Sequence, residues 1–124
     1  MLDLPRKRAG VMSTTISLPF PPPLNNLFAN VAGKGRVKSD RYRQWANAAG
    51  WEIQSVRPKA IPGPVAITIL LGKPDRRRRD LDGMAKAVCD LLVDHRVIED
   101  DSLVQRLTLA WAPVQGAHVT VEAA

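Results

Sequence analysis

An α/β (α+β) fold, one small domain in which a mixed β-sheet of about four strands carries two main helices, is predicted by three observations. The chain has 124 residues, enough for one core without staples and short for two. Four segments show strand patterning, as alternation or as a dense β-branched run, and two show apolar residues at helical spacing. Their order is strand, helix, strand, helix, strand, strand, and elements interleaved in this way bury their apolar faces by packing helices on a sheet.

"TTISLPF" alternates polar and apolar residues, with Ile16 and Leu18 on one face, and predicts a first strand over 13–18. "PPPLNNLFANVAGKGRVKSD" mixes Pro21, Pro22, Pro23, Asn25 and Asn26 with Gly33 and Gly35, and reads as a long loop. Loops of this length either serve a function or stay disordered, and this one carries Lys34, Arg36 and Lys38. Ser39 is placed to cap a helix in which Tyr42, Trp45, Ala46, Ala49 and Ile53 recur at helical spacing, ending before Pro58. Gly50 inside it costs ~1 kcal/mol relative to alanine. "GPVAITILLG" predicts a buried strand between proline and glycine boundaries. Leu81, Met84, Ala85, Val88, Leu91 and Leu92 form one apolar stripe, which predicts the second helix and places Asp82, Lys86 and Asp90 together on its polar face. "LVQRLTLAWAP" and "HVTVEA" alternate on either side of a turn at Gly116 and predict a closing hairpin.

Lys and Arg number 18 against 12 Asp and Glu, and the net charge of +6 draws the chain to polyanions such as nucleic acid or an anionic membrane surface. The single Cys89 excludes an internal disulfide and a multi-cysteine zinc site, which suits a reducing cytoplasm. With only His95 and His118 besides, any metal would be held by oxygens. No stretch approaches the roughly 20 apolar residues of a membrane span, so a soluble protein with no membrane partner is expected. "MLDLPRKRAGVM" is basic but lacks the apolar run of a secretory signal. Residues 1–12 are therefore expected to be a flexible basic extension ahead of a domain over 13–124, with Met12 an alternative start to Met1.

The chemistry concentrates in "KPDRRRRDLDGMAKAVCD". Consecutive like charges at Arg76, Arg77, Arg78 and Arg79 repel unless an anion spreads over them, and the planar fork of arginine matches phosphate oxygens. A solvated basic loop is the plainer reading. Asp80 can be explained as a helix cap, but capping does not account for Asp82 as well, nor for the acidic run Glu99, Asp100 and Asp101. Magnesium takes one or two carboxylates with water and substrate phosphate, and these carboxylates could supply them. A metal held there would activate water and offset charge as the 3′ oxygen of a phosphodiester leaves. Lys86 is either half of a surface Asp-Lys-Asp ladder or a cation that positions the scissile phosphate. Phe20 and Phe28 flank the proline and asparagine loop and could stack on unpaired bases, with core burial the favoured role. For Trp45 and Trp51, core or partner contacts are favoured over base stacking.

"PDRRRRDLD", with Lys86, Asp90 and "EDDSLV" at these spacings, resembles the RusA family of Holliday junction resolvases, and "LPFPPPLNN" adds a second match. The likeness spans most of residues 14 to 122. It implies a small homodimeric endonuclease of phage or prophage origin, cytoplasmic, that makes paired nicks in four-way junction DNA. The implied cofactor is Mg2+, for which Mn2+ can substitute, and no organic cofactor is implied. Residue by residue, the resemblance makes Asp80, Asp82 and Asp101 the catalytic metal-binding carboxylates and Lys86 the lysine beside them, with Asp100 a further ligand candidate. It assigns DNA contact to Arg79 and its neighbours, and Asn26, Lys34, Arg36 and Lys38 join them as DNA-binding candidates. It also implies that the acidic turn folds back to the start of the second helix. The chain departs from the family at Gly83 and Met84, where Asn-Leu is usual, at Pro23 for Ser, and at Arg96 for Gly. Gly83 removes a side chain beside the implied metal site and loosens the first helical turn by ~1 kcal/mol. Competing readings are a noncatalytic nucleic-acid-binding protein, for which Asp82→Asn would be harmless, and a metal-dependent nuclease acting on flaps or RNA.

Overall fold

The computed structural model describes residues 11–124, so the extension read over residues 1–12 lies outside the described residues but for its last two positions. The first strand forms where alternation places it: β1 (Ser13–Leu18) buries Ile16 and Leu18 and turns Thr15 and Ser17 outward. The long loop is less irregular than its composition suggests. After a 3-10 turn at Leu24–Asn26, β2 (Phe28–Val31) and β3 (Gly35–Lys38) pair antiparallel as a hairpin separate from the main sheet. Gly33 at φ 80° and Gly35 at φ 73° supply the left-handed backbone of the reversal, so the glycines that signalled loop instead close a ribbon.

Helix α1 (Asp40–Val56) starts at Ser39, whose side-chain oxygen accepts the Tyr42 N–H at 3.1 Å. Tyr42, Trp45, Ala49 and Ile53 form its buried face, and the Trp45 indole N–H donates to the Pro19 carbonyl at 2.9 Å. Trp51 is 70% exposed and takes no part in the core. Gly50 has a packing reason, because a Cβ there would stand 3.0 Å from His95 Nε2 at the end of the second helix.

β4 (Val65–Leu71) is the buried strand, followed by a 3-10 turn at Leu81–Met84, α2 (Ala85–Asp94), another 3-10 turn at Asp101–Leu103, β5 (Val104–Trp111) and β6 (Ala117–Ala123). The four strands form one mixed sheet in the order β1-β6-β4-β5, so the predicted closing hairpin does not form. β5 runs parallel to β4 at the sheet edge, and β6 lies antiparallel between β4 and β1. β4 is paired along both edges, with β5 on one side and β6 on the other, and Val65, Ile67, Ile69 and Leu71 on its core face are all within 1% of complete burial. The chain steps over its end between Ala112 and Gly116, where Ala112 N donates to Leu71 O and Gly72 N to Gly116 O, each at 2.9 Å. Gly72 is indispensable to that crossing, since a Cβ would lie 1.6 Å from the Val114 carbonyl oxygen. Both helices pack on one face of the sheet, where Ile16, Ile67, Ile69 and Val119 meet Trp45 of α1 and Val88 and Leu92 of α2 in one core. Each fully buried side chain of this kind contributes ~1.5–3 kcal/mol.

Candidate nucleic-acid and metal site

The arginine run leaves the end of β4 and is organised by a residue that sequence reasoning passed over. Asp75 accepts a two-pronged contact from the Arg79 guanidinium, with Nη2 to Oδ2 at 3.0 Å, and also the Arg77 backbone N–H at 2.9 Å. Those hydrogen bonds, the Arg79 fork first, hold its carboxyl well below the usual carboxylate range. Arg79 is thereby committed. Its side chain is 16% exposed, and its guanidinium lies 5.5 Å from the centroid of Phe20, which in turn stacks on Trp111 with centroids 6.2 Å apart. Arg76, Arg77 and Arg78 are exposed; Arg77 Nε lies 3.7 Å from Asp75 Oδ2 in a solvent-exposed ion pair, so Arg76 and Arg78 are the two arginines of the run with no partner among the described residues.

The acidic residues also separate by role. Glu99 Oε1 accepts the Gly63 N–H at 2.5 Å and ties two loops together. Asp100 caps the turn at Asp101–Leu103, its Oδ2 accepting from the Ser102 N–H at 3.0 Å and from the Ser102 hydroxyl, and those bonds lower its pKa. Asp80 occupies the cap position before Leu81–Met84, yet its carboxylate makes no capping hydrogen bond. Among the described residues Asp80, Asp82 and Asp101 are exposed carboxylates with no hydrogen-bonded or ion-paired partner. In a chain of net charge +6 that is an unusual economy of pairing.

Asp80 and Asp82 line a cleft of about 630 Å3 together with Asn26, Arg36, Arg78, Arg79 and Gly83. Asp101 lines a second, of about 210 Å3, with Lys38, Tyr42, Asp90, Asp94 and Asp100. A recess of about 150 Å3 joins the two along the hairpin, sharing Arg36 with the first and Phe28 with the second. The furrow is thus cationic at the arginine end and acidic at the other. Arg36 sits 4.6 Å over the Phe28 ring and Lys38 5.2 Å over the Tyr42 ring, which fixes both cations against the furrow wall. Phe28 meets Tyr42 edge to face, so Phe20 and Phe28 both have their rings engaged within the protein. Lys34 is at the hairpin tip, exposed, and borders neither cleft.

Lys86 donates to Asp90 Oδ1 at 3.0 Å, and the Tyr42 hydroxyl donates to Asp90 Oδ2 at 3.4 Å. One carboxylate therefore holds both groups. The hydrogen bond and charge of Asp90, with a smaller contribution from Asp101, raise the Lys86 pKa and keep the ammonium protonated. Burial, then Asp90 and Asp94, push the Tyr42 hydroxyl up to about 12. The expected polar face holds only in part: Lys86 pairs with Asp90, but Asp82 lies in the 3-10 turn and forms no ion pair with Lys86. Asp100 and Asp101 line one cleft with Asp90, Val93 and Asp94, which places the acidic turn beside α2.

The donor chemistry suits a hard cation. Burial pushes the half-buried Cys89 thiol up to about 11, so no thiolate competes. No group of three or more His, Cys, Asp or Glu side chains among the described residues could hold a metal ion by itself. These residues fit an ion completed by water and substrate phosphate, as magnesium usually is, and do not fit a preformed protein cage. Gly83 leaves open space in this wall, its nearest neighbour for a Cβ being Leu24 N at 3.8 Å. No helix among the described residues is long and apolar enough to cross a membrane.

Comparison with known proteins agrees with the residue pattern. A sequence model of the family described as Endodeoxyribonuclease RusA matches residues 19–123. The Crossover junction endodeoxyribonuclease RusA of Escherichia coli (strain K12) is 32% identical over 100 residues, 81% of this chain and 83% of the relative. That of Aquifex aeolicus (strain VF5) is 32% identical over 86 residues, 68% of each chain. The phage relative, from Enterobacteria phage 82, is 32% identical over 99 residues, 80% of this chain and 82% of its own.

Proposed function

Because the chain belongs to the RusA family of endodeoxyribonucleases, we propose that it resolves four-way DNA junctions by paired, metal-assisted hydrolysis of phosphodiester bonds. The observation that carries this reading is the set of unpartnered carboxylates, Asp80 and Asp82 together in one cleft beside Arg78 and Asp101 in the neighbouring one. Asp80 and Asp82, which share one cleft, would hold Mg2+, with Mn2+ able to substitute, and Asp101 from the neighbouring cleft would be a further ligand; Asp100, whose Oδ2 is occupied by Ser102, is the weaker ligand. The ion supplies Lewis-acid activation of water and charge neutralisation at the phosphate.

The chain's own residues do the rest. Arg76, Arg77 and Arg78 hold the backbone on the approach to the furrow, and Arg36 extends that contact along the hairpin. Lys86, kept protonated and oriented by Asp90, offers N–H donors to a phosphate oxygen whose charge grows as the 3′ oxygen leaves. Arg79 acts indirectly, by folding the loop that presents its neighbours. Two copies of the chain, each with one furrow, would cut the two symmetric strands of a junction in the cytoplasm of a bacterial cell or one infected by phage.

The test is cleavage of a labelled four-way junction and a matched linear duplex, with magnesium or EDTA, by wild type and Asp82→Asn. Symmetric, magnesium-dependent nicks confined to the junction, and a loss of at least 100-fold in Asp82→Asn, an order-of-magnitude expectation for removing a metal ligand, are expected. Binding of the junction without cutting by both proteins would replace this reading with a noncatalytic one.

A further inference from the structure

Only one of the two faces of the hairpin formed by β2 and β3 lines the furrow. Residues directly opposite in an antiparallel pair share a face, so the register puts Phe28, Asn30, Arg36 and Lys38 on the furrow side and Ala29, Val31, Gly35 and Val37 on the other. That second face carries no polar side chain. Ala29 and Val31 are exposed, Val31 by 42%, Val37 is partly buried, and none of the three packs on the core among the described residues. A half-solvated ribbon ordinarily hides its apolar side and wets its polar one. Here the arrangement is reversed: Arg36 and Lys38 lie against aromatic rings, and the valines are left to water.

The ribbon is also clamped at one end only. Beyond its own ladder, the hydrogen bonds that fix it fall at its base, where Ser39 N donates to Leu27 O at 2.9 Å, the Ser39 hydroxyl to Asn26 O at 2.7 Å and Arg43 Nη1 to Lys38 O at 2.9 Å. Its tip stands clear, since a Cβ at Gly33 or Gly35 would meet no atom within 4 Å among the described residues. Lys34 is exposed at that tip, and no acidic residue occurs between Asp3 and Asp40 to repel a polyanion.

We propose that the apolar face of this hairpin, led by Val31 and Ala29, docks on base faces uncovered at the branch point of four-way DNA, while its cationic face walls the furrow that receives the strand to be cut. Continuity and charge select this occupant. A two-stranded ribbon is one residue layer thick, so whatever lies against Val31 is next to nucleic acid held by Arg36. Uncompensated Lys34, Arg36 and Lys38 favour a polyanion over a second copy of the same cationic ribbon. In a linear duplex the base faces are stacked on one another, and an apolar wedge must part a step before it can enter. A branch point is where four stacks end, so base faces can be uncovered there without kinking a continuous helix. The inference rests on the junction-resolving reading and gives it a source of shape selectivity, with Val31 and Ala29 as positioning residues.

Junctions carrying 2-aminopurine in the base pairs that flank the branch point test it, in EDTA so that no strand is cut, because unstacking of the probe raises its fluorescence. The full wild-type chain should raise the signal of the junction and leave that of a linear duplex with the same probe unchanged. Val31→Ser combined with Ala29→Ser should remove most of the rise and lower the ratio of junction to duplex cleavage in magnesium by about tenfold, as expected from losing part of the burial of one valine side chain. Val31→Ile should retain both properties. Both positions are exposed, so circular dichroism should show each variant folded. Lys34→Ala should instead weaken binding to junction and duplex alike. A wild type without the rise, or a rise indifferent to the double variant, overturns the proposal. Equal loss of affinity for both substrates in the double variant overturns it too, and assigns the face to general DNA contact. A double variant that sediments at lower mass than wild type assigns the face to a second copy, which is again a refutation. A rise that the double variant removes, with no cleavage by wild type in magnesium, sustains the docking and sinks the enzymatic reading instead.

Discussion

Tyr42 is the only tyrosine in the chain, so tyrosinate absorbance reports one hydroxyl inside the furrow. Burial, followed by the charges of Asp90 and Asp94 and the hydrogen bond to Asp90, raises its pKa from 10.0 to about 12. At ~1.36 kcal/mol per unit, that displacement corresponds to at most about 3 kcal/mol of preference for the neutral form in the folded protein, which solvent screening at the furrow mouth reduces to a fraction of that figure. A raised folded pKa means that the folded state keeps its proton longer than the unfolded chain. The contribution is therefore complete below pH 10, where the unfolded tyrosine is still neutral, and is lost as pH rises towards 12. An alkaline titration of the native protein should show a single midpoint near 12, moving back towards 10 in denaturant. Asp90→Asn should lower the native midpoint, and urea unfolding should show wild type losing more stability than Tyr42→Phe across this range. A native midpoint at the ordinary value, or one unmoved by Asp90→Asn, would refute the account of Tyr42, Asp90 and Lys86 as one linked group.

The other expectations concern the loop and its supports. Gly72→Ala should destabilise the fold by about 3 kcal/mol or more, measured by thermal or urea unfolding, because the new Cβ cannot coexist with Val114 O at 1.6 Å. A wild-type melting curve would show that the crossing over β4 is looser than described. Gly83→Ala has open space and no positive φ to lose, so it should gain ~0.4–1 kcal/mol in the same assay, and a clear loss would count against the fold of that turn. Arg78→Ala should flatten the slope of log affinity against log salt for junction DNA by ~0.9, measured by anisotropy. Arg79→Ala should leave that slope nearly unchanged and instead increase proteolysis of the loop after β4; equal effects on slope from both would contradict the division between free and committed arginines.

Local signals carried well into the structure, and long-range choices did not. Ile16 and Leu18, the Ser39 cap and the stripe through Val88 and Leu92 depend on neighbours a few residues away, and each was readable from spacing. The position of β6 depends on a competition among strands: "HVTVEA" alternates equally well beside β5 or between β1 and β4, and only the long-range pairing of the assembled sheet distinguishes the two. In the furrow, Asp80, Asp82 and Asp101 stood out because capping could not explain them all. Asp75 was hidden because Pro74 before it reads as an ordinary turn, and its clasp on Arg79 appears only once the loop bends. The contact of Tyr42 with Asp90 spans 48 positions and leaves no local trace.

The central place of β6 has a consequence for how the protein is made. β6 is the last of the sheet's strands to leave the ribosome, yet it is the only bridge between β1 and β4. Until it arrives, β1 has no neighbour in the main sheet, and β4 shows a bare edge to other nascent chains. Contacts such as Ile16 with Val119 close only across nearly the whole sequence, which makes the last step slow and the waiting intermediate adhesive. Pausing of translation shortly before β6 should therefore do more harm to yield than pausing after it.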